Sequence, residues 1–245
     1  MRFFRPRPAR DILAAIFFLA VICLLAFSAF WAYREYRTSP PYVDEEKYPV
    51  RGIDISRHNG QINFEKVKND GMEFVFIKAS EGTTHRDSLF SSNYEMARRA
   101  GLKTGAYHFF RFDSDGVEQA LNFLGAVGHR FPDLGLVIDV EKAGNPKNVS
   151  PEDIRKRLST MVEYLNLLGY RVMIYTNFEG YYDYIEEILP GYPLWICRFK
   201  ENPINAEWTF WQYDHHGKVD GVKGDVDLNA FYGTREEWED YLKEY

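Results

Sequence analysis

Residues 134–141 read Leu-Gly-Leu-Val-Ile-Asp-Val-Glu, an apolar run that ends in two carboxylates, Asp139 and Glu141. Side chains on a strand alternate faces, so residues two apart point the same way. Asp139 and Glu141 therefore share a face, and Val140 takes the other. A charge beside a buried strand is costly unless it is paired. Such a pair marks either chemistry or a structural ion pair.

The pattern repeats outward from this strand. Short apolar runs at 51–56, 74–79, 103–109, 134–141 and 171–176 alternate with helical patterns at 63–69, 91–100, 114–128, 151–168 and 178–189. Ser150-Pro151-Glu152-Asp153 supplies an N-cap, a first-turn proline and early acids, while Gly101 and Gly169 sit where C-caps belong. After residue 190 the strand patterns at 194–198, 209–213 and 225–228 have no clear helix between them, and 236–244 reads as a closing helix. Strand–helix alternation predicts a parallel sheet with right-handed crossovers, and eight strands are the number that closes a TIM-like barrel. An open doubly wound sheet is the other arrangement. The turn after the first strand, Gly52-Ile-Asp-Ile-Ser-Arg-His-Asn-Gly60, lacks the glycine fingerprint that would favour it.

Active residues of such barrels gather at the C-terminal ends of the strands. Polar groups fall there repeatedly: Asp54 and Ser56, Lys78 and Glu81, Tyr107 and His108, Asp139 and Glu141, Tyr175 and Asn177. Trp195, then Trp211-Gln212-Tyr213, then Asp225 and Asp227 continue the series on the last three strands. The expectation is one acidic pocket walled with aromatics. The chain has 19 Phe, 17 Tyr and 5 Trp, and aromatic faces suit the C–H faces of sugars, although most of them fill cores. The bland reading of the carboxylates is a salt-bridge network with Lys78 or Arg57, but buried ion pairs are poor stabilisers. His108 reads as a hydrogen-bonded core histidine, and His215-His216 as solvated loop residues.

Ile12 to Tyr33 is an uncharged apolar run long enough to span a bilayer. Arg2, Arg5, Arg7 and Arg10 precede it, which orients the N-terminus to the cytoplasm. The expected organisation is a basic cytoplasmic segment (1–11), a transmembrane anchor (12–33), a linker (34–50) and an extracytoplasmic barrel domain (51–245), on the periplasmic or cell-wall side. A cleaved signal peptide is the competing reading, with Ala26-Phe27-Ser28 as a weak site, but the run continues past it. Residues 1–43 carry +4, six Arg against Asp11 and Glu35, leaving −10 for the rest of a chain whose net charge is −6. So acidic a body argues against nucleic acid as a partner. The two cysteines, Cys23 and Cys197, make no disulfide framework, and no metal-ligand spacing is present, so neither a metal nor another cofactor is expected.

Taken together the motifs resemble glycoside hydrolase family 25, the N-acetylmuramidase lysozymes. They are Gly52-Ile-Asp54-Ile-Ser56, Phe76-Ile-Lys78-Ala-Ser-Glu81-Gly82, Gly105-Ala-Tyr107-His108-Phe109, Leu136-Val-Ile-Asp139-Val-Glu141, Ile174-Tyr175-Thr176, Leu194-Trp195-Ile196, Trp211-Gln212-Tyr213 and Val226-Asp227-Leu-Asn229. They run in the family's order over about residues 51–233. The resemblance implies an α/β, TIM-like (β/α)5(β)3 barrel. It implies hydrolysis of the β-1,4 bond between N-acetylmuramic acid and N-acetylglucosamine in peptidoglycan, by a monomer acting on glycan strands. The family's acidic quartet falls on Asp54, Asp139, Glu141 and Asp227. The pair Cys197-Arg198 departs from the small residue and aromatic of the family. Glu141 is the expected general acid. Asp139 is expected to orient the substrate's acetamido group for a substrate-assisted route, with Asp54 or Asp227 as rival nucleophile or base. Lys78, Glu81, Tyr107, Tyr175, Trp195, Trp211 and Gln212 are the expected substrate-binding residues. A chitinase-type hydrolase and an inactive anchored wall-binding protein are the competing functions.

Overall fold

The computed structural model describes residues 9–38, 43–199, 203 and 207–243. It divides into two units, Met1–Pro40 and Pro41–Tyr245. The first contains helix α1 (Ala9–Thr38). Its apolar span, Ile12–Arg34, has 23 residues, about 35 Å of helix against a bilayer core of about 30 Å. The span's large apolar side chains, such as Phe17 and Leu24, are exposed. Arg2, Arg5 and Arg7 lie outside the described residues.

The second unit is a closed barrel. Its strands are β1 (Arg51–Ile55), β2 (Met72–Glu81), β3 (His85–Arg86), β4 (Lys103–Phe109), β5 (Leu136–Asp139), β6 (Val172–Asn177), β7 (Leu194–Cys197), β8 (Phe210–Gly217) and β9 (Val226–Phe231). The order around the ring is β1-β9-β8-β7-β6-β5-β4-β2, and β2 pairs back with β1. The short β3 folds back antiparallel on the end of β2 and lies outside the ring. Eight strands therefore close the barrel, as the alternation predicts. Helices α2 (Phe64–Asn69), α3 (Phe90–Arg99), α4 (Gly116–Val127) and α5 (Pro151–Leu167) follow the first four ring strands. The expected caps form: the Ser150 hydroxyl accepts from the Asp153 N–H, and Gly101 and Gly169 take φ of 81° and 80°.

Two elements differ from expectation. The pattern at 178–189 gives only one α turn, α6 (Phe178–Gly180), running into a π turn over Tyr181–Ile185. Gly180 and the tyrosines 181, 182 and 184 are weak helix formers. Gly180 is also pressed so closely on β6 that a Cβ there would lie 2.1 Å from Thr176 Oγ1. The second difference matters more. β9 is antiparallel to both β8 and β1, so the sheet is not fully parallel. Only residues 218–225 join β8 to β9, fewer than the dozen or so that a parallel crossover needs. β9 therefore starts at the rim where the other strands end.

Alternation sorts each strand between two apolar layers. Val75, Ile77, Ile138 and Ile196 face the helices, while Phe74, Phe76, Val137 and Trp195 face the lumen. The last helix, α7 (Arg235–Lys243), seals the end opposite the carboxylate rim. Its Trp238 is 2% exposed and meets Phe74 and Phe231 at ring distances of 5.6 and 5.1 Å. Above this floor Phe76 stacks on Trp195 at 4.3 Å. Val43, Tyr48 and Val50, from the expected linker, are buried against the barrel.

The packed floor leaves no room for a side chain at Gly105, where a Cβ would stand 2.2 Å from the Phe76 ring. Overpacking a core costs about 1–3 kcal/mol. Gly105→Ala is therefore expected to lower Tm by about 2–4 °C for each kcal/mol in a domain of this size. Thermal denaturation checks this, and an unchanged Tm would contradict the packed-lumen reading.

Candidate active site

Above the aromatic floor the lumen turns polar, because the same alternation continues into charged residues. On β1, Asp54 follows Gly52 inward. On β9, Asp227 and Asn229 precede Phe231, and on β5 Asp139 follows Val137. Asp54 and Asp227 are register partners across the β1–β9 pair. Counted around the ring, β5 lies four strands from β9. Asp139 and Glu141 therefore face the Asp54–Asp227 pair across the lumen. β5 itself ends at Asp139, and Glu141 stands just beyond it on the rim.

Asp54 is held by a chain of hydrogen bonds. The Trp195 Nε1–H donates to Asn229 Oδ1 at 2.8 Å, so the Asn229 amide must turn its nitrogen toward Asp54. Asn229 Nδ2 donates to Asp54 Oδ2 at 2.9 Å, and Gln212 Nε2 donates to the same oxygen at 2.8 Å. The Tyr175 hydroxyl donates to Gln212 Oε1 at 2.8 Å, which orients that amide as well. One Asp54 oxygen is thus occupied by two donors. Asp227, its register partner, is the neighbouring carboxyl. Burial, and then the Asp227 charge, raise the Asp54 pKa well above the carboxylate range despite the two amide donors. Burial lifts Asp227 to about 6. The two carboxyls therefore share a proton over part of the acidic range.

The opposite wall behaves alike. Burial and then the neighbouring Glu141 raise Asp139 well above its usual range. Its Oδ1 is buried without a hydrogen-bond partner. Burial and the Asp54 charge raise Glu141, and Lys78 opposes the shift at both. Lys78 points into the lumen from β2, donates to Glu81 Oε2 at 2.8 Å and lies 5.0 Å from the Phe109 ring centre. Arg111 approaches the other Glu81 oxygen at 3.7 Å.

The structure brings together Asp54, Asp139, Glu141, Asp227, Lys78, Glu81, Tyr107, Tyr175 and Gln212. Two expected sugar platforms are placed otherwise. Trp211 points out of the lumen because Gln212, its neighbour on β8, points in. It is 2% exposed, its Nε1 donates to the Arg198 carbonyl, and it packs on Tyr48 and Trp208. Trp195 does face the lumen, but it lies beneath Tyr175 and Tyr107 as part of the floor and is also 2% exposed. Neither ring offers a face to a ligand. Tyr175 and Gln212, 8% and 5% exposed, hold Asp54.

His108 is a core residue, on the outer face of β4. Gln119 Oε1 accepts from the Arg111 N–H, and Gln119 Nε2 donates to the carbonyls of Arg111 and Ser114. That fixes an oxygen toward His108 Nε2, which must carry the hydrogen, so Nδ1 accepts from the Ser80 hydroxyl. Burial pushes the His108 pKa down to about 4. Asn229, Phe109 and Arg111 were not among the expected site residues. Asn229 was legible, lying two residues from Asp227 on the same strand face, whereas Arg111 reaches the site through a loop. Among the described residues no group of His, Cys, Asp and Glu is arranged to hold a metal ion. A cavity of about 1020 Å3 lined by Tyr48, Tyr181, Tyr192, Trp208 and Tyr232 contains none of the four carboxylates.

A sequence model of glycosyl hydrolases family 25 matches residues 53–222. The match stops short of Asp227, whose place in the site rests on its pairing with Asp54. Among curated proteins, YegX of Escherichia coli O157:H7 is 32% identical over 235 residues, 92% of this chain and 85% of its own length. Lysozyme M1 of Streptomyces globisporus is 36% identical over 204 residues, 76% of this chain and 68% of its own. The solved family 25 glycosyl hydrolase from Bacillus anthracis is 36% identical with a TM-score of 0.77, covering 83% of this chain and 98% of that one.

Carboxylates with raised pKa values bind more protons in the folded than in the unfolded state. Their burial therefore costs stability as pH rises from about 4 through the folded pKa values. Asp139→Asn removes one such cost. The variant is expected to be more stable than the parent at pH 7, by about 1.4 kcal/mol for each unit of raised pKa, and so to melt at a higher Tm. The gap should close toward pH 4, where Asp139 is neutral anyway. Thermal melts across this range check it, and a variant less stable at pH 7 would refute the assignment of Asp139 as a strained, unpaired acid.

Proposed function

The chain belongs to glycosyl hydrolases family 25, and on that premise we propose that it is an N-acetylmuramidase. It hydrolyses the β-1,4 bond between N-acetylmuramic acid and N-acetylglucosamine in peptidoglycan. Support comes from the name of Lysozyme M1 and from a lumen with two carboxyl pairs on opposing walls. The observation that carries the mechanism is the state of Asp54. One of its oxygens is occupied by two amide donors, and its register partner is the carboxyl of Asp227. A carboxylate so engaged is a poor nucleophile, and Asp139 and Glu141 stand too close on one strand to take opposite faces of a sugar.

Glu141 is the general acid. Its raised pKa keeps a proton available where an ordinary glutamate has lost it. It protonates the glycosidic oxygen as the bond to the anomeric carbon breaks. The acetamido oxygen of the muramic acid unit attacks that carbon from the other side, forming a cyclic oxazolinium. Asp139, buried and unpaired at Oδ1, receives the acetamido N–H and balances its growing charge. Glu141, now ionised, takes a proton from water as the water attacks the anomeric carbon and reopens the ring. Two displacements at one carbon retain configuration. The Asp54–Asp227 wall, with Lys78, sets the field in which these protons move.

The apolar helix is read as an uncleaved anchor with the barrel outside the cytoplasm, supported by its length and by the arginines before it.

Glu141→Gln should lower muropeptide release by about 10²- to 10⁴-fold, the usual contribution of a general acid, while wall binding persists. Mass spectrometry should find products with muramic acid at the reducing end, and NMR should find the initial product in the β configuration. An α product would sink substrate assistance, and no release even by the parent would favour an inactive wall-binding protein. For the anchor, the full-length chain should remain in the membrane fraction after an alkaline wash and keep its N-terminal sequence. A mature chain beginning near Ser28 would indicate a cleaved signal peptide instead.

A further inference from the structure

The β8–β9 hairpin stands on the carboxylate rim, because β8 ends and β9 begins there. Its pairing is irregular at two places, between Gln212 and Asp214 and between Asp214 and Gly217. Bulges of this kind at barrel rims re-aim side chains near active sites. Here they carry His215 and His216. The His215 ring lies between two others, 4.3 Å from the Phe199 ring and 4.0 Å from the His216 ring, tilted by 48° and 46°. Phe199 comes from the rim end of β7, so the stack bridges two neighbouring elements. It is open to solvent: Phe199 is 37% exposed and the His216 side chain 69%.

The stack is held in place. His216 Nδ1 is 2.9 Å from Asp225 Oδ2, and the His216 N–H donates to Asp214 Oδ1 at 2.9 Å. Lys218 pairs with the second Asp225 oxygen. Asp225 is two residues before Asp227, so the anchor of the stack and the catalytic wall belong to one strand and its approach. Of the three exposed rings, His216 is fixed in advance and His215 packs on it at a tilt, so part of the surface needs little ordering on binding.

We propose that the Phe199–His215–His216 stack is a sugar-binding platform that takes a pyranose ring of the glycan strand outside the bond being cleaved. This inference rests on the muramidase reading. The occupant is a sugar face rather than the carboxylates of the peptide stem, because Asp214, Asp225 and Asp227 crowd the same hairpin and repel anions. Sugar C–H bonds packing on ring faces need no charge. The two histidine rings sit on the hairpin whose second strand carries Asp227, on the rim side of that residue. The platform also supplies the exposed aromatic faces that the buried Trp195 and Trp211 do not.

The test compares Phe199→Ala and His215→Ala with the parent on two soluble substrates, long uncross-linked glycan strands and a tetrasaccharide. The expected result is a rise in KM on long strands of about three- to tenfold, the scale of one aromatic contact, with little change in kcat and a smaller KM change on the tetrasaccharide. Phe199→Tyr should restore most of the affinity. Equal changes on both lengths, or none on either, would overturn the platform. A binding arm separates this from failure of the muramidase reading. In a Glu141→Gln background, co-sedimentation with purified peptidoglycan should weaken when Phe199→Ala is added. If the parent cleaves but neither substitution alters binding, the platform is wrong and the activity stands. If the parent cleaves nothing while binding weakens, the platform stands and the hydrolase reading falls.

Discussion

Two amide N–H groups converge on one oxygen of Asp54, and the arrangement of the site depends on that junction. The Asn229 amide is turned by Trp195 and the Gln212 amide by Tyr175. Each link exists because a donor-only or hydroxyl group below dictates which end of the amide faces up. Trp195 in turn is fixed by stacking on Phe76. The aromatic plug at the bottom of the lumen therefore orients the carboxylate above it through two amides, with no flexible part between. A site built on packed rings holds its geometry better than one built on loops.

Burial also acts on the carboxyls above the plug: it is the first cause of the upward shift at Asp54, Asp139, Glu141 and Asp227. Only Lys78 opposes this at both Asp139 and Glu141. Such a concentration of unhappy carboxyls is destabilising. It is the kind of local cost that functional sites retain and that the surrounding apolar layers offset. The closed ring makes the offset large, since its strands bury apolar residues both on the outer face and in the lumen.

Much of this was legible in residue order. The alternation Val137, Asp139, Glu141 predicted a shared face, and the structure puts Asp139 in the lumen and Glu141 at its rim. The five strand–helix units and three further strands predicted a barrel that does close. What failed was direction and facing. Strand–helix alternation predicts a parallel sheet, which the strands from β1 to β8 form around the ring, but β9 runs the other way, because eight connecting residues cannot make a crossover. The motif suggests Trp211 and Gln212 together as substrate-binding residues, yet adjacent strand residues face opposite sides, so both cannot line the lumen. His215 and His216 read as solvated loop residues; both are exposed, but they lie on β8 rather than in a loop. Their stacking on Phe199 depends on two bulges that no periodicity reveals.

The sequence by itself determined the apolar N-terminal run, the strand–helix alternation of the barrel and the shared face of Asp139 and Glu141, because these follow from local patterns of burial and charge along one chain, whereas the grouping of those two with Asp54 and Asp227 came from the family resemblance. Only the tertiary structure decided which walls the carboxylates occupy, which rings are floor and which are rim, and which oxygen of Asp54 is engaged. Those properties come from closing the sheet. Closure sets Asp54 beside Asp227, whose chain positions are far apart, and sets that pair opposite Asp139 and Glu141. A linear pattern gives each strand its two faces, but it cannot say which strand will stand across the lumen.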